Sequence, residues 1–465
     1  MPEQKKIYIL LPDGIGLRNF AYTSFASIGK EKGWNIVYWN HTPFNLTELG
    51  LQEQKLEGRA SALTDLYKRA RKEIELTNFE KQYQDSIYNS YRFKAKGGSI
   101  KNKVKNGIVR FFEKKYAGDG LHKLREKIKD KERSTSYYKD CVAQLKKTKP
   151  HIVFCTNQRP VHAIAPILAA QYLGIPTATF IFSWDNVPKA MLVVETDFYY
   201  VWSTFMKEQL MGYYPHITED QIVVTGTPQF EPHYEVEIKK SKKEFCETYS
   251  IPQTLDYICF SGDDVTTSPH DPIYLHDIAT AVKKLNAKGR NLGIIFRRCP
   301  VDFSDRFDQV LEMHKDIVYP IAPKWDKIGG AWNTILPSQE DMTLLANTVR
   351  HSMFAINLGS SMVFDYISQK KPCLYIKYNP KDIPLQKDVF KVYDYVHFRS
   401  MPNAKAVFWI NSKEDIETKI EQALTDPKET CREAHEWFSV INTMPPEKAS
   451  ERIWFALEKT IDTCI

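Results

Sequence analysis

Residues 353–376, MFAINLGSSMVFDYISQKKPCLYI, restrict the fold of this chain more than any other stretch. An apolar run meets the small corner Gly359-Ser360-Ser361, a helical segment follows, and Pro372 precedes a second apolar run. This order of strand, loop, helix and strand is typical of a parallel sheet. A helix N-terminus presents unpaired N–H groups and a partial positive charge, which suit a phosphate. We predict half of a nucleotide-diphosphate site here, with Asp365 accepting hydrogen bonds from sugar hydroxyls.

The same alternation of strands and helices recurs on both sides of a long charged stretch. It opens the chain, resumes at residue 151, and begins a second series at Asp256. This pattern predicts the α/β class, with two doubly wound parallel-sheet (Rossmann-like) domains that face each other across a cleft. The opening is predicted as a strand at 6–11, a helix at 20–30 and a strand at 34–39. The predicted parts are an N-terminal domain at 1–232 with a helical basic insertion at about 51–149, a C-terminal domain at 233–445, and a last helix at 446–465.

Length and composition are those of a globular protein. The chain has 465 residues, 43% of them hydrophobic and 26% charged, which allows several packed cores. No apolar run reaches the roughly 18–20 residues that span a bilayer. The N-terminus reads as a first strand rather than a signal peptide, and the eight cysteines have no metal-binding spacing. We therefore expect a cytoplasmic protein without a structural metal.

Positive charge is concentrated between residues 92 and 149. This segment holds 19 Lys and Arg against 6 Asp and Glu, a net charge of +13 within a chain of +7. Its predicted helices break at Gly97-Gly98 and again near Gly118. The aromatic pair Phe111-Phe112 lies among lysines, a mixture that interfacial helices use on anionic lipid. The segment is either a solvated helical face or a peripheral contact with the inner face of the cytoplasmic membrane. Nucleic acid is disfavoured because no base-reading module accompanies the charge.

Candidate donor-binding residues follow two other strands of the C-terminal domain. Arg297 and Arg298 come directly after one strand, where a guanidinium could bind a phosphate bidentately or form a surface ion pair. Ser261 and Gly262 follow another strand and could contact a diphosphate through a hydroxyl and backbone N–H groups. The corner at Gly359 could equally be a tight turn with a serine cap.

Candidate catalytic residues lie in loops of the N-terminal domain. Asp13 follows the first strand and could take a proton from an acceptor hydroxyl as general base, or could simply form a turn. Asp185 and His162, in neighbouring loops, are rival bases. The predicted acceptor loop continues from Asp13 through Gly14, Gly16, Arg18 and Asn19, with the glycines allowing close approach of a ligand.

Four stretches together resemble bacterial GT-B glycosyltransferases of surface-polysaccharide gene clusters. They are 357–372, the arginine-rich turn before Pro300, Gly226-Thr227-Pro228-Gln229-Phe230 and Ser183-Trp184-Asp185-Asn186. The spacing from Asn357 to Asp365 also resembles the donor motif of UDP-glycosyltransferases, where a carboxylate at that offset holds the ribose. The stretch SSMVFDYISQKKP is similar to CDP-glycerol glycerophosphotransferases, although Cys299 stands where those enzymes usually have histidine.

The resemblance implies a GT-B fold, with the donor bound by the C-terminal domain, the acceptor by the N-terminal one, no metal, and a last helix that crosses back to the first domain. It implies an inverting glycosyltransferase that moves a sugar from a nucleotide-sugar to a glycan or lipid-linked glycan in polysaccharide or glycoconjugate biosynthesis. The nucleotide-sugar is a co-substrate, and no cofactor is expected. The alternatives are a CDP-glycerol-type glycerophosphotransferase, a nucleotide-sugar epimerase and a non-catalytic GT-B-like binding subunit.

Overall fold

The computed structural model describes residues 4–92, 99–329, 334–381, 384 and 388–464, with side chains up to residue 461. The chain divides into two compact units. Unit 1 contains Met1–Pro228, Lys327–Leu336 and Asn442–Ile465, and unit 2 contains Gln229–Asp326 and Pro337–Ile441. Among the described helices, none combines the length and the apolar character needed to cross a bilayer. The predicted break at Gly97-Gly98 lies outside the described residues.

Unit 1 is built on a seven-stranded sheet in which every pair of neighbouring strands is parallel. Its spatial order is β3-β2-β1-β4-β5-β6-β7. The inner strands are buried on both faces, which is why β1 and β4 read as continuous apolar runs. The strands are β1 Lys6–Leu11, β2 Asn35–Asn40, β3 Glu53–Lys55, β4 Ile152–Cys155, β5 Thr177–Phe180, β6 Phe198–Val201 and β7 Ile222–Val224.

Eight α-helices accompany this sheet in the described chain before residue 228. They are α1 Leu17–Phe20, α2 Ser24–Glu31, α3 Ala62–Tyr83, α4 Ile100–Tyr116, α5 Leu121–Arg133, α6 Ser136–Thr148, α7 Ile164–Tyr172 and α8 Thr204–Tyr213. The prediction of one helix at 20–30 was wrong, because the hydroxyl of Thr23 accepts from Phe25 N and starts a new helix there. Strand β3, at the sheet edge, was not predicted.

The helical basic insertion is confirmed, and α3 to α6 form it. Its helices share a core with the sheet through buried side chains such as Ile74, Val109 and Tyr116. A buried ion network joins α3 to α5, in which Glu75 pairs with both Arg71 and Arg125. Breaking such a network leaves uncompensated buried charges, so the network holds α3 and α5 together. The shared core, in turn, fixes the insertion to the sheet of unit 1.

Unit 2 contains a second parallel sheet of six strands, in the order β10-β9-β8-β13-β14-β15. Two doubly wound parallel sheets were predicted, and this is confirmed. Two further strands, β11 and β12, form a separate two-stranded sheet, and residues 327–336, which include parts of both, belong to unit 1. The strands are β8 Asp256–Ser261, β9 Leu292–Arg297, β10 Val318–Pro320, β11 Trp325–Lys327, β12 Ile335–Pro337, β13 Ser352–Asn357, β14 Cys373–Ile376 and β15 Phe408–Ile410. The helices are α9 Lys242–Tyr249, α10 Asp271–Ala287, α11 Asp308–Met313, α12 Gln339–His351, α13 Met362–Ser368, α14 Ile416–Thr425 and α15 Lys428–Ile441.

The chain returns to unit 1 at Asn442 and ends in α16, Ala449–Cys464. Trp454 of this helix stacks on Phe25 with ring centroids 4.8 Å apart, and its Nε1 donates to the Phe25 carbonyl at 2.7 Å. A side chain at Gly29 would collide with the same indole, since its Cβ would lie 2.1 Å from Trp454 Cζ2. Helix α16 is therefore part of the unit 1 core.

Candidate functional site

In each sheet the strand order reverses once, and this reversal locates the candidate sites. Unit 1 proceeds outward from β1 to β3 on one side and from β4 to β7 on the other, and unit 2 reverses between β8 and β13. Loops that leave adjacent strands in opposite directions open a crevice at the carboxyl ends of those strands, where ligands of doubly wound sheets bind. Asp13 follows β1, and the corner Gly359-Ser360-Ser361 follows β13.

The corner after β13 is fixed by hydrogen bonds from its own chain and from a neighbouring strand. Ser360 N donates to Asn357 Oδ1 at 2.8 Å, and Ser360 Oγ accepts from Met362 N at 3.3 Å. Tyr375 donates its hydroxyl to Ser360 O at 2.8 Å. Ser361 caps α13 without a side-chain hydrogen bond and is exposed. The corner is thus rigid, with one exposed hydroxyl at its end.

Gly359 is required by both backbone and packing. Its φ is +63°, in the left-handed region that favours glycine. A Cβ there would lie 2.9 Å from Phe398 Cζ and 3.2 Å from Tyr393 Cε1. These aromatic rings, themselves 5.4 Å apart, form a wall against the corner.

Asp365 lies in the first turn of α13 and is buried, with a neighbour that the sequence did not reveal. Its Oδ1 is 2.8 Å from Nε2 of His233, which is also buried. The carboxylate thereby fixes the orientation of the imidazole. Any contact between Asp365 and a ribose would have to coexist with this pair.

The loop after β8 lies beside the corner. Ser261 Oγ is 3.1 Å from Met362 Sδ, and Gly262 N donates to Arg297 O at 2.9 Å. Asp271, at the start of α10, accepts from Asp263 N at 2.7 Å. Burial raises the pKa of Asp271 to about 7, against the opposing effect of its hydrogen bonds. This carboxyl holds the β8 loop in place.

Arg297 and Arg298 have different environments. Arg297 is buried, and its Nη2 donates to both carboxylate oxygens of Asp341, at 3.0 and 2.9 Å. Arg298 is half-buried, and its Nη1 donates to Ser304 O at 3.2 Å. Since Arg297 already holds a carboxylate, Arg298 is the better placed of the two to reach a ligand.

Asp13 lies at the reversal of the unit 1 sheet and is 5% exposed. Its Oδ2 accepts from Asn157 Nδ2 at 2.7 Å, and its Oδ1 accepts from Ile15 N at 3.2 Å. Burial raises the pKa of Asp13, although the Arg159 charge and these hydrogen bonds oppose the rise. A carboxylate whose affinity for protons is raised by burial suits a general base.

The rest of the predicted acceptor loop is packed against protein. A Cβ at Gly14 would lie 2.6 Å from Ile335 O, and one at Gly16 would lie 2.3 Å from Thr156 Oγ1. Both glycines are thus explained by close contact with the chain itself, and their role in admitting a ligand stays a prediction. Arg18 is half-buried and Asn19 is buried on α1.

The two rival bases lie at the same sheet edge, after β4 and β5. Asp185 forms an ion pair with Lys189, and its Oδ1 accepts from Asn186 Nδ2 at 2.8 Å. His162 stacks on His41 with centroids 4.3 Å apart. Burial, helped by His41 and Lys68, lowers the pKa of His162 to about 4. His162 is therefore neutral near pH 7.

No family model matches the sequence, and no curated protein matches it. Solved structures do match. A putative UDP-N-acetylglucosamine 2-epimerase from Listeria monocytogenes has a TM-score of 0.56 at 11% identity, covering 99% of this chain and 97% of that one. S. aureus MnaA, in a co-structure with UDP, has a TM-score of 0.53 at 13% identity, covering 98% and 97%. A glycosyltransferase from Rickettsia africae has a TM-score of 0.52 at 11% identity, covering 99% of each chain. The chain has the GT-B fold. At these identities the likeness concerns the fold alone.

On this GT-B scaffold, sequence reasoning missed several groups beside the candidate residues. Asn157 joins Asp13 to Arg159, because its Oδ1 accepts from Arg159 Nε at 3.1 Å. A second missed group is Lys68 on α3 of the insertion, whose charge helps to lower the pKa of His162. The only sequence signal for Asn157 and Arg159 was that they occupy a loop after an apolar strand. Lys68 and His233 gave no local signal. Among the residues that the structure describes, no group of three His, Cys, Asp or Glu side chains could hold a metal.

Proposed function

We propose that this protein is a glycosyltransferase that moves a sugar from a nucleotide-sugar donor to a glycan or lipid-linked acceptor. The observation that carries the proposal is the position of the candidate groups in both units. The corner Gly359-Ser360-Ser361 and the base candidate Asp13 each follow a strand at the point where the sheet order reverses. Such positions bind ligands in doubly wound sheets.

In the proposed donor site, the diphosphate contacts backbone N–H groups and the hydroxyl at Ser361, with Arg298 supplying positive charge. Ser261 and Gly262 line the other side of this crevice. A guanidinium and oriented N–H groups can stabilise the negative charge that develops on a leaving diphosphate. In this proposal no metal or other cofactor is needed, and the nucleotide-sugar is a co-substrate.

In the proposed acceptor site, Asp13 is the general base. It takes the proton of an acceptor hydroxyl, whose oxygen forms a bond to the anomeric carbon while the bond to the diphosphate breaks. The nucleoside diphosphate then leaves, with inversion at the anomeric carbon. Asp185 is the second candidate for this role, but its carboxylate is already paired with Lys189.

A matched pair of variants at Ser361 tests the donor site. Ser361 is exposed and its side chain makes no capping hydrogen bond, so Ser361→Asp and Ser361→Asn should both fold. The two side chains differ by one negative charge. We expect Ser361→Asp to weaken UDP binding by about tenfold or more, while Ser361→Asn stays close to the unsubstituted protein. UDP is the probe because S. aureus MnaA, which shares the fold, was solved with it. Equal affinities for the two variants, measured by calorimetry, would contradict the donor assignment.

Product analysis separates the proposed reaction from its alternatives. Release of UDP, GDP or CMP from nucleotide-sugars that requires an acceptor supports glycosyl transfer. A change of sugar configuration without any acceptor would indicate an epimerase, and turnover of CDP-glycerol would indicate glycerophosphate transfer. Binding without turnover of any donor would indicate a non-catalytic subunit.

We also propose that α4 brings the enzyme to an anionic membrane surface. Ile100, Val104 and Phe111 are 81%, 57% and 59% exposed, and their spacing puts them on one face of the helix. Lys103 and Lys115, both exposed, border this apolar stripe on its two sides. An exposed apolar stripe bordered by lysines is the pattern of a helix that lies on anionic lipid.

A further inference from the structure

Two cations, Arg159 and Lys68, are close enough for their charges to interact, and Arg159 also interacts with the carboxylates of Asp13 and Asp185. Arg159 follows β4, and Lys68 lies on α3. No hydrogen bond or ion pair engages the Arg159 Nη atoms or the Lys68 amino group in the part of the chain that the structure describes. Both side chains are half-buried. Partly buried donors without an acceptor are costly, so this arrangement favours a bound anion that accepts their hydrogen bonds.

The guanidinium of Arg159 is held in one orientation. Its Nε donates to Asn157 Oδ1 at 3.1 Å, and its Cζ lies 4.5 Å from the ring centroid of Phe182. These contacts leave the two Nη groups available for a ligand, and the planar arrangement of these groups matches two oxygens of a phosphate. Asn157 is also the donor to Asp13, which connects the cation to the candidate base.

The charges around Lys68 also favour a bound anion. Burial lowers the pKa of Lys68 to about 8, helped by Arg71 and Arg159 and opposed by Asp65. Cations that repel one another in a partly buried region are stabilised by a shared polyanion.

We propose that Arg159 and Lys68 bind a phosphate group carried by the acceptor, so that the acceptor is a phosphorylated or diphosphate-linked molecule. This inference rests on the proposed glycosyl transfer and specifies the chemical class of its acceptor. Arg159 binds the phosphate bidentately and Lys68 contacts it as a point charge. The bound phosphate then fixes the acceptor beside Asp13, which is already connected to Arg159 through Asn157.

The test titrates inorganic pyrophosphate into the full-length protein saturated with UDP, by calorimetry. The variants are Lys68→Gln and Arg159→Gln, and the control is Lys81→Gln, an exposed lysine on the same helix. We expect pyrophosphate affinity to fall about tenfold or more in the first two variants, since a hydrogen bond to a charged group is lost, and to remain unchanged in the control. Because Arg159→Gln also removes a contact to Asn157, Lys68→Gln decides the result if the arginine variant unfolds.

UDP affinity, measured in the same variants, distinguishes the two sources of a diphosphate. If Lys68→Gln weakens UDP and pyrophosphate equally, the cations hold the donor and the inference is overturned. No pyrophosphate binding in the presence of UDP, or equal binding by the Lys68 and Lys81 variants, also overturns it. Failure of the Ser361→Asp test would reject the donor site, whereas the difference between the Lys68 and Lys81 variants in pyrophosphate affinity reports on the two cations. Competition by glucose 1-phosphate indicates a phosphosugar acceptor, and competition by geranyl diphosphate indicates a lipid-linked one.

Discussion

Replacing Gly359 by alanine should destabilise unit 2 by more than the backbone angle alone explains. The φ of +63° costs a residue with a Cβ about 1–2 kcal/mol. The added Cβ would also lie 2.9 Å from Phe398 Cζ and 3.2 Å from Tyr393 Cε1. Displacing packed side chains costs about 1–3 kcal/mol. We therefore expect Gly359→Ala to lower the free energy of unfolding by about 2–5 kcal/mol.

Gly289→Ala is the control that isolates the backbone contribution. Gly289 is in the same unit and has φ of +101°, but no atom within 4 Å of an added Cβ. Its backbone is further from the left-handed minimum than that of Gly359, so its conformational cost should be at least as large. Any additional loss at Gly359 must then come from the aromatic wall.

The assay is urea unfolding of both variants, with UDP affinity measured alongside. Because both substitutions are in unit 2, they should affect the same transition. We expect Gly359→Ala to have the lower unfolding free energy and weakened UDP binding, and Gly289→Ala to retain UDP binding. Equal destabilisation by the two substitutions would refute the role of the wall, and full UDP affinity in Gly359→Ala would refute the role of the corner.

Two further predictions concern Asp13 and α4. Asp13→Asn should lower turnover by about 10²–10⁴-fold and leave UDP affinity unchanged, and a loss of UDP binding would contradict the assignment. Because burial raises the pKa of Asp13, the unsubstituted enzyme should lose activity, as pH falls, at a higher pH than an ordinary aspartate would give. Because the pKa of Asp13 is raised, the folded state binds this proton more tightly than the unfolded state does. The stability that protonated Asp13 contributes is therefore lost as pH rises through its folded pKa. Asp13→Asn should remove this pH dependence of stability. Phe111→Ser should weaken sedimentation with phosphatidylglycerol vesicles by about tenfold, because it removes an exposed apolar side chain from α4. Tyr172→Ser, which changes an exposed aromatic residue outside α4, should have no such effect. Equal effects of the two substitutions would exclude α4 as the membrane contact.

Local patterns predicted most of the fold. Apolar runs bounded by turn residues predicted the strands of the two sheets except β3, β10 and β15, because the inner strands of a buried parallel sheet are apolar on both faces. The failures were local as well. The hydroxyl of Thr23 divides a predicted helix, and β3 is a three-residue edge strand with little apolar character.

The candidate site was harder to predict from the sequence, because the residues that contact each other there are distant along the chain. Asp365 was predicted as a donor group, but its pairing with His233 joins residues 132 apart in sequence. Arg297 and Arg298 are adjacent and look equivalent, yet only the first is buried against Asp341. No short-range pattern distinguishes such cases, since burial and ion pairing are set by which elements pack together.

The sequence by itself determined the α/β class, the helical basic insertion and the glycine corner at Gly359, because periodicity and turn chemistry act over a few residues. Only the tertiary structure decided the strand orders, and with them the two reversals at which Asp13 and the corner lie. It also brought Lys68, from the insertion, into the charged surroundings of Arg159, which follows β4. Contacts of this kind depend on how the elements are ordered in space, so no spacing along the chain records them.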